Sequence, residues 1–308
     1  MSVFDNNRTK CFIFVTWEEL STTYFVLSAV NGVFSVIAAT LNALILLTVL
    51  KSPSLRTPSY IFLCNLAISD LAVGVCIQPL CSAVMALQGL GVMAKHCTLV
   101  GAFSVLCIYF AGISFIGVSL MNCDLYLALY LNLKYVWIVT VPRSILLTIT
   151  SWISLAVYSV LWVFVFKWGE TFAFVTLGII LFFVLLNVVA YLKIYRVIRR
   201  HRRQIQVQSL AVSETSDGTN TMRRNRKSVK GTFYVFLLFL FCYVPYILCS
   251  GLVFFLGLNE WLERAVQVSV TIIFLNSSLN PLLYCWKRKD LRENVKRVIK
   301  ELIPSHLT

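Results

Sequence analysis

Charged residues and histidines are scarce in this sequence. Only 13% of the 308 residues are charged, whereas 59% are hydrophobic and the mean hydropathy is +0.82. Soluble domains carry about 25% charged residues, so this composition indicates an integral membrane protein. The three histidines, His96, His201 and His306, lack zinc-type spacing, and no catalytic constellation surrounds a nucleophile. The sequence therefore predicts neither an enzyme nor a cofactor.

Seven apolar stretches are long enough to cross a bilayer, whose core of about 30 Å requires about 20 helical residues. Each is predicted to be a helix, because backbone groups in lipid must pair with one another and the alternation of barrel strands is missing. The predicted spans are at about 24–50, 58–86, 98–123, 144–166, 172–192, 231–257 and 265–286. The predicted fold class is an all-α membrane protein with a seven-transmembrane helix bundle over 24–286.

The basic residues indicate how the bundle is oriented, since Lys and Arg are retained on the cytoplasmic side. Of the 27 basic residues, all but five lie on one predicted side, and those five are Arg8, Lys10, Lys95, Lys167 and Arg264. We therefore predict an extracellular segment 1–23, a cytoplasmic connection at about 199–230 and a cytoplasmic tail 287–308. This orientation and anionic membrane lipids account for the net charge of +14 without nucleic acid. Asn7, in Asn7-Arg8-Thr9, is a candidate glycosylation site.

Asp70 is the only ionisable residue deep within a predicted span. A carboxylate there costs about 2.5 to 3.5 kcal/mol, so other groups must stabilise it. The polar residues of other spans that can face it are Asn42, Ser114, Asn276, Ser277 and Asn280. Such oxygen atoms suit a small cation such as Na⁺. A hydrogen-bonded packing cluster without an ion, or a protonated Asp70, fits the residues equally well.

Short motifs recur in the predicted spans in a fixed order. They are Asn42 in the first span, NLAISD at 65–70 in the second, Trp152 in the fourth, Phe239 with CYVP at 242–245 in the sixth, and NPLLY at 280–284 in the seventh. This set resembles the rhodopsin-like, class A, G-protein-coupled receptors over nearly the whole chain. The resemblance implies a plasma-membrane receptor that binds an extracellular or membrane-borne ligand and moves its sixth helix to admit a heterotrimeric G protein.

The same resemblance assigns roles to individual residues. Asp70, Ser114, Asn276, Ser277 and Asn280 match the family's pocket for an allosteric Na⁺. The residues that match its activation switch are Asp124, Leu125, Tyr126, Tyr191, Phe239, Tyr243, Pro245, Pro281 and Tyr284. Among these, Tyr191 and Tyr284 match the tyrosines that approach each other on activation. The segment after Tyr284 resembles the family's short amphipathic eighth helix, with Trp286, Leu291, Val295, Val298 and Ile299 near one face.

Leu125 is the main departure from the family pattern. The family's aspartate-arginine-tyrosine step reads Asp124-Leu125-Tyr126 here, so five hydrogen-bond donors are lost. The acid that often pairs with that arginine from the sixth helix is missing from RRNRKSVK as well. We therefore expect weakened coupling to G proteins. Two alternatives stay open: a receptor-like decoy or heteromer partner that does not signal, and a small-ion transporter or channel.

A second departure concerns Cys97. The family commonly joins this region to its second outer loop by a disulfide, but that loop, KWGET, has no cysteine. We expect Cys97 to be free or paired with Cys11, with the free state favoured. Several receptors of the melanocortin, adenosine and cannabinoid group have a short second loop or lack this bridge or the proline of the fifth helix. The chain resembles that group.

The predicted ligand pocket contains no charged residue. Cys107 replaces the aspartate of amine receptors, and Phe274 replaces the lysine of opsins. The candidate lining residues are Gln78, Cys107, Tyr109, Trp162, Tyr246, Ser250, Gln267 and Phe274. An uncharged small or lipid-like ligand suits these residues best, although a peptide that reaches Glu170, Glu260 and Glu263 is the alternative.

Overall fold

The computed structural model describes residues 18–92, 97–131, 134–165, 178–197, 199 and 216–302. Within these residues the protein is helical and contains no strand. The main helices are α1 (Ser21–Lys51), α2 (Pro58–Gly89), α3 (Cys97–Leu131), α4 (Val141–Val165), α5 (Gly178–Val197), α6 (Ser216–Leu256), α7 (Glu260–Lys287) and α8 (Lys289–Leu302). In the described part of the chain, α1 to α7 are long and apolar enough to cross a bilayer. The predicted seven-helix fold class is confirmed.

The two helices α3 and α6 extend furthest beyond the spans expected from hydropathy. The predicted third span ended at 123, but α3 continues to Leu131, so Asp124 lies inside the helix. The predicted sixth span began at 231, but α6 begins at Ser216. Hydropathy marks only the residues that suit lipid, whereas helical hydrogen bonding can continue into the aqueous phase. Below, the two ends of the bundle are called the Glu263 end and the Asp124 end.

Gly74 brings α1 and α2 into close contact. It lies in a π-helical turn, Val73–Ile77, that interrupts the α-helical geometry of α2. A Cβ atom at Gly74 would lie only 2.7 Å from the backbone nitrogen of Ala39 and 2.9 Å from the Cβ of Ala38. Only glycine therefore permits this spacing, as is common where membrane helices pack without a hydrophobic driving force.

Pro281 frees a backbone acceptor that links α7 to α1. Proline has no N–H, so the Ser277 carbonyl loses its usual donor in α7. The Asn42 side chain donates to that carbonyl instead, at 2.9 Å. Nearby, Trp152 Nε1 of α4 donates to Asn65 Oδ1 of α2 at 2.6 Å. These buried polar pairs fix the positions of four helices.

The amphipathic helix α8 packs against α1 and the end of α7 at the Asp124 end of the bundle. Its buried residues are Leu291, Val295 and Val298, whose spacing of four and three places them on one face. Ile299 is more exposed, and Trp286 belongs to the last turn of α7. Tyr60 of α2 donates to Asp290 Oδ2 at 2.6 Å. The predicted eighth helix therefore forms, with a narrower apolar face than expected.

Candidate functional site

A cavity of about 430 Å³ lies between the helices and reaches from the Glu263 end towards the middle of the bundle. Its walls come from α2 to α7 and are mainly aliphatic and aromatic. The residues that define its length are Gln88 and Gln267 at the Glu263 end, Phe103 and Phe183 along the sides, and Phe115 and Tyr243 at the base. This volume lies within the range of about 300 to 1,000 Å³ for small-molecule sites.

The predicted pocket residues divide between the cavity wall and other places. Cys107, Tyr246, Gln267 and Phe274 line the cavity, and Ser250 hydrogen-bonds to Tyr246 without lining it. Gln78 is fully buried elsewhere in α2. Tyr109 faces α4, where its ring lies edge-on to Trp152 at 6.0 Å. The Trp162 side chain lies outside the described residues.

Gln88 is one of the cavity residues that sequence reasoning missed. The predicted second span ended at 86, which assigned Gln88 to a loop. In the structure α2 continues to Gly89, and only 4% of the Gln88 side chain is exposed. A polar residue at the end of an apolar stretch only weakly indicates a cavity residue, because such residues commonly face water.

The polar core lies below the cavity and centres on Asp70. Ser277 Oγ and Asn280 Nδ2 of α7 each donate to one carboxylate oxygen of Asp70, both at 2.8 Å. Ser114 Oγ of α3 lies 3.1 Å from Ser69 Oγ of α2. Asn276 lines a small neighbouring cavity of about 10 Å³, together with Ser114 and Ser277. The structure therefore brings all five predicted residues to one region of the bundle.

The chemistry of this core fits a small monovalent cation. The Oδ1 atoms of Asn276 and Asn280 are buried, and neither has a hydrogen-bond partner among the described residues. Unpaired amide oxygens next to one carboxylate form a hard-oxygen donor set. In the same described residues, no group of three His, Cys, Asp or Glu side chains could hold a metal ion. A single negative charge suits Na⁺ better than a divalent ion.

An aromatic cluster connects α3 with α6 at the base of the cavity. The Phe239 and Tyr243 rings stack with centroids 4.0 Å apart, and Phe115 lies edge-on to Phe239 at 4.8 Å. Pro245 follows within the same helix and removes one backbone hydrogen bond from α6. A ligand that contacts Phe115 and Tyr243 would therefore touch the part of α6 that is easiest to bend.

Asp124 is held by two uncharged side chains at the opposite end of the bundle. Ser59 Oγ donates to one oxygen at 2.5 Å, and Tyr135 OH donates to the other at 2.6 Å. Partial burial and the bond to Asp124 raise the pKa of Tyr135, so its hydroxyl stays protonated and can donate. Leu125 is only 8% exposed and belongs to the large buried apolar cluster. Tyr126 stacks on Tyr130 at 5.5 Å.

Tyr191 joins α5 to α3 through a chain of buried polar residues. Its hydroxyl donates to Asn122 Oδ1 at 2.5 Å, and Asn122 Nδ2 donates to Asn187 Oδ1 at 2.5 Å. Asn187 Nδ2 then donates to Ser119 Oγ at 2.7 Å. Sequence reasoning missed this chain, although two asparagines within apolar spans were a usable signal. The other predicted switch tyrosine, Tyr284, is buried, and its hydroxyl has no partner among the described residues.

Three predictions lie outside the described residues. They concern glycosylation at Asn7, the side chain of Cys97 and its pairing with Cys11. The eight cysteines whose side chains are described are all free. Those eight lie in the spans, as expected for small packing residues.

Seven apolar helices, a polar core at Asp70 and a cavity that opens above an aromatic cluster together define a seven-helix receptor. The family model described as "7 transmembrane receptor (rhodopsin family)" matches residues 41–284. The chain therefore belongs to the rhodopsin family of seven-transmembrane receptors, and it is a multi-pass protein of the plasma membrane.

Individual relatives come from several receptor groups. The chain is 24% identical to melanocortin receptor 3 of Rattus norvegicus over 84% of this chain and 80% of the relative. It is 25% identical to trace amine-associated receptor 7f of Mus musculus over 90% and 84%. It is 24% identical to octopamine receptor beta-1R of Drosophila melanogaster over 88% and 61%. These relatives are named for different ligands and are about equally similar to this chain. The comparisons therefore show the receptor family and not the ligand.

Proposed function

We propose that this receptor passes the signal of an uncharged, mainly apolar ligand to heterotrimeric G proteins, and that Leu125 weakens this coupling. The ligand class rests on the cavity, whose described lining contains no acidic or basic side chain of the Asp, Glu, Lys or Arg type. Although two relatives are named for amines, Cys107 offers an amine no counter-charge here. A charged ligand would lose its hydration without a paired charge in return.

Leu125 is the observation that carries the coupling proposal. Its side chain is packed in apolar surroundings and offers no donor to a G protein or to Tyr191. Asp124 is already satisfied by Ser59 and Tyr135, so it does not require a neighbouring arginine. Tyr191, which donates to Asn122, and Asp124 are therefore both paired with uncharged side chains instead of an arginine. This arrangement also favours the second candidate function, a receptor-like decoy or heteromer partner that does not signal.

The test is nucleotide exchange on purified G proteins with wild type and Leu125→Arg at equal surface expression. We expect arginine to increase basal exchange, because it regains up to five donors at the G-protein face. Leu129→Arg is the matched control, since Leu129 is equally buried one turn later but does not occupy the motif position. It should not increase exchange. Equal exchange by wild type and Leu125→Arg would mean that Leu125 does not limit coupling.

We also propose that Asp70, Ser114, Asn276, Ser277 and Asn280 hold an allosteric Na⁺. Support comes from the carboxylate, the two unpaired amide oxygens and the adjacent small cavity. The ion would supply a positive charge that offsets the buried carboxylate. The residues themselves connect α2, α3 and α7, so they would couple ion binding to the relative positions of those helices.

For orientation, we propose that the Glu263 end faces the extracellular side. The excess of Lys and Arg beyond the opposite end supports this orientation. The sequon at Asn7 would then be exposed to glycosylation enzymes. Treatment with an amidase specific for N-glycans should increase the electrophoretic mobility of the wild type but not of Asn7→Gln. If the electrophoretic mobility of the wild type did not change, the proposed glycosylation of Asn7 would be contradicted.

A further inference from the structure

Gln88 places an unsatisfied, buried amide at the wall of the cavity. The residue lines the cavity and is 4% exposed, and its Oε1 and Nε2 atoms are buried without a hydrogen-bond partner among the described residues. Burying an amide without partners is costly, and natural proteins rarely leave such a group unless another molecule satisfies it. The amide offers both a donor and an acceptor.

The position of Gln88 is fixed by the backbone around it. Its carbonyl oxygen accepts from the Gly91 N–H at 2.9 Å, which closes the end of α2. Ser21 Oγ of α1 donates to the next carbonyl, that of Gly89, at 2.9 Å. Ser28 and Ser82 add reciprocal hydrogen bonds between α1 and α2, each donating its hydroxyl to the other's backbone carbonyl at 2.8 Å. The Gln88 side chain is therefore directed by a helix end that α1 holds in place.

Gln267 supplies a second polar group to the same cavity from α7. Its Nε2 donates to Glu263 Oε1 at 2.8 Å, and Tyr24 of α1 donates to the same oxygen at 3.1 Å. Because Nε2 is engaged, the Gln267 carbonyl oxygen is the end suited to a ligand, and it can only accept. The neighbouring carboxylate polarises this amide and strengthens its oxygen as an acceptor.

The rest of the cavity wall is predominantly apolar. Phe103, Phe115 and Phe183 lie along it, and its described lining contains no Asp, Glu, Lys or Arg. Glu263 is close to Gln267, but it does not line the cavity, and it is buried against Tyr24 and Gln267. A charged head group would therefore be desolvated with no direct counter-charge.

We infer that Gln88 and Gln267 form a head-group subsite that selects a neutral ligand with a carboxamide and an apolar body. The ligand's N–H donates to Gln267, its carbonyl accepts from the Gln88 amide once that amide has turned from its buried position into the cavity, and its apolar body lies along the phenylalanines. This inference deepens the proposed function, since it rests on the apolar cavity being the ligand site. It does not depend on G-protein coupling.

The experiment measures saturable binding of four tritiated probes to the full chain in phosphatidylcholine nanodiscs, with empty nanodiscs subtracted. The probes are decanamide, methyl decanoate, decylamine and decanoate, which share one chain length and differ in the head group. We expect decanamide to bind about tenfold more tightly than the ester, because its N–H makes one hydrogen bond to Gln267 that the ester cannot make. The charged probes should bind more weakly than the amide.

Gln267→Met should abolish the preference for the amide, because it removes the acceptor of the N–H that the ester lacks, whereas Gln88→Met should weaken the amide and the ester alike, because both have the carbonyl that Gln88 binds. Gln78→Met is the matched control, because Gln78 is also a buried glutamine of α2 with unpartnered amide atoms, but it does not line the cavity. It should retain the preference. Two independent variants keep the inference testable if either one fails to fold.

Ligand-free Gln88→Met should unfold at the same temperature as wild type or higher, because methionine removes an unpaired buried amide. A lower unfolding temperature would show that Gln88 has a structural partner and would overturn the inference. Equal affinities for amide and ester, or tightest binding of decylamine through Glu263, would overturn it as well. So would the lack of saturable binding by any probe. None of these results depends on the nucleotide-exchange test of Leu125, so the two proposals fail separately.

Discussion

Asp70 carries the largest electrostatic cost of any residue in the described spans, since it is fully buried and no basic side chain pairs with it. If Na⁺ offsets this charge, sodium must stabilise the folded receptor by mass action. At a sodium concentration about ten times the Kd, the gain is about 1.4 kcal/mol. We expect the unfolding temperature of wild type to rise when sodium chloride replaces choline chloride at equal ionic strength. Asp70→Asn should abolish this rise.

Asp124→Asn is the matched control for the sodium prediction. Asp124 is also a buried carboxylate, but Ser59 and Tyr135 hold it at the opposite end of the bundle. This variant should keep the sodium response of wild type. A response that survives in Asp70→Asn would place the ion at another site, whereas its loss in both variants would indicate a nonspecific effect of charge.

At the scale of helices, Gly74 determines how closely α1 approaches α2. An ordinary Gly→Ala change inside a helix stabilises it by about 1 kcal/mol. At Gly74 the new methyl group would lie 2.7 Å from a backbone nitrogen of α1, which cannot rotate away. Overpacking of this kind typically costs about 1 to 3 kcal/mol. We therefore expect Gly74→Ala to lower the unfolding temperature in detergent.

Gly101→Ala is the control, because we do not expect it to lower the unfolding temperature. Gly101 lies in α3, and a Cβ atom there would meet nothing within 4 Å. The substitution should leave the unfolding temperature unchanged or raise it slightly. Equal effects of the two alanines would show that the α1–α2 contact tolerates a methyl group at Gly74.

Hydropathy predicted the helices well, because lipid imposes one requirement on every span. It did not predict the π turn at Val73–Ile77 or the continuation of α2 to Gly89, since both depend on how α1 packs against α2. For the same reason Gln88 was assigned to a loop. The polar core could be anticipated, because a carboxylate in lipid requires partners. The asparagines in the third and fifth spans signalled buried polar contacts, but the pairing of Asn122 with Tyr191 could not be predicted, because it depends on the rotation of α5 about its axis.

At the scale of the whole receptor, hydrogen bonds join several helices of the bundle, whereas the described side chains of α6 pack mainly through apolar and aromatic contacts. Asn42, Asp70 and Trp152 link α1, α2, α4 and α7 by buried hydrogen bonds. In contrast, α6 packs through ring contacts such as that of Phe236 with Tyr191, at 4.6 Å. Sliding two rings past each other costs less free energy than breaking a buried hydrogen bond. We therefore expect α6 to be the helix that moves.

Tyr191→Phe tests this expectation, since it keeps the ring next to Phe236 and removes the hydroxyl that donates to Asn122. Losing about 1 kcal/mol would shift an equilibrium of α5 and α6 positions about fivefold. Genetically encoded spin labels at the exposed residues Leu237 of α6 and Leu50 of α1 would report it by pulsed electron resonance. We expect a second, longer distance to gain population in Tyr191→Phe. Tyr195→Phe is the control, because it removes an exposed hydroxyl one turn later in α5, and it should match wild type. Identical distance distributions in all three proteins would mean that the Tyr191–Asn122 bond does not restrain α6.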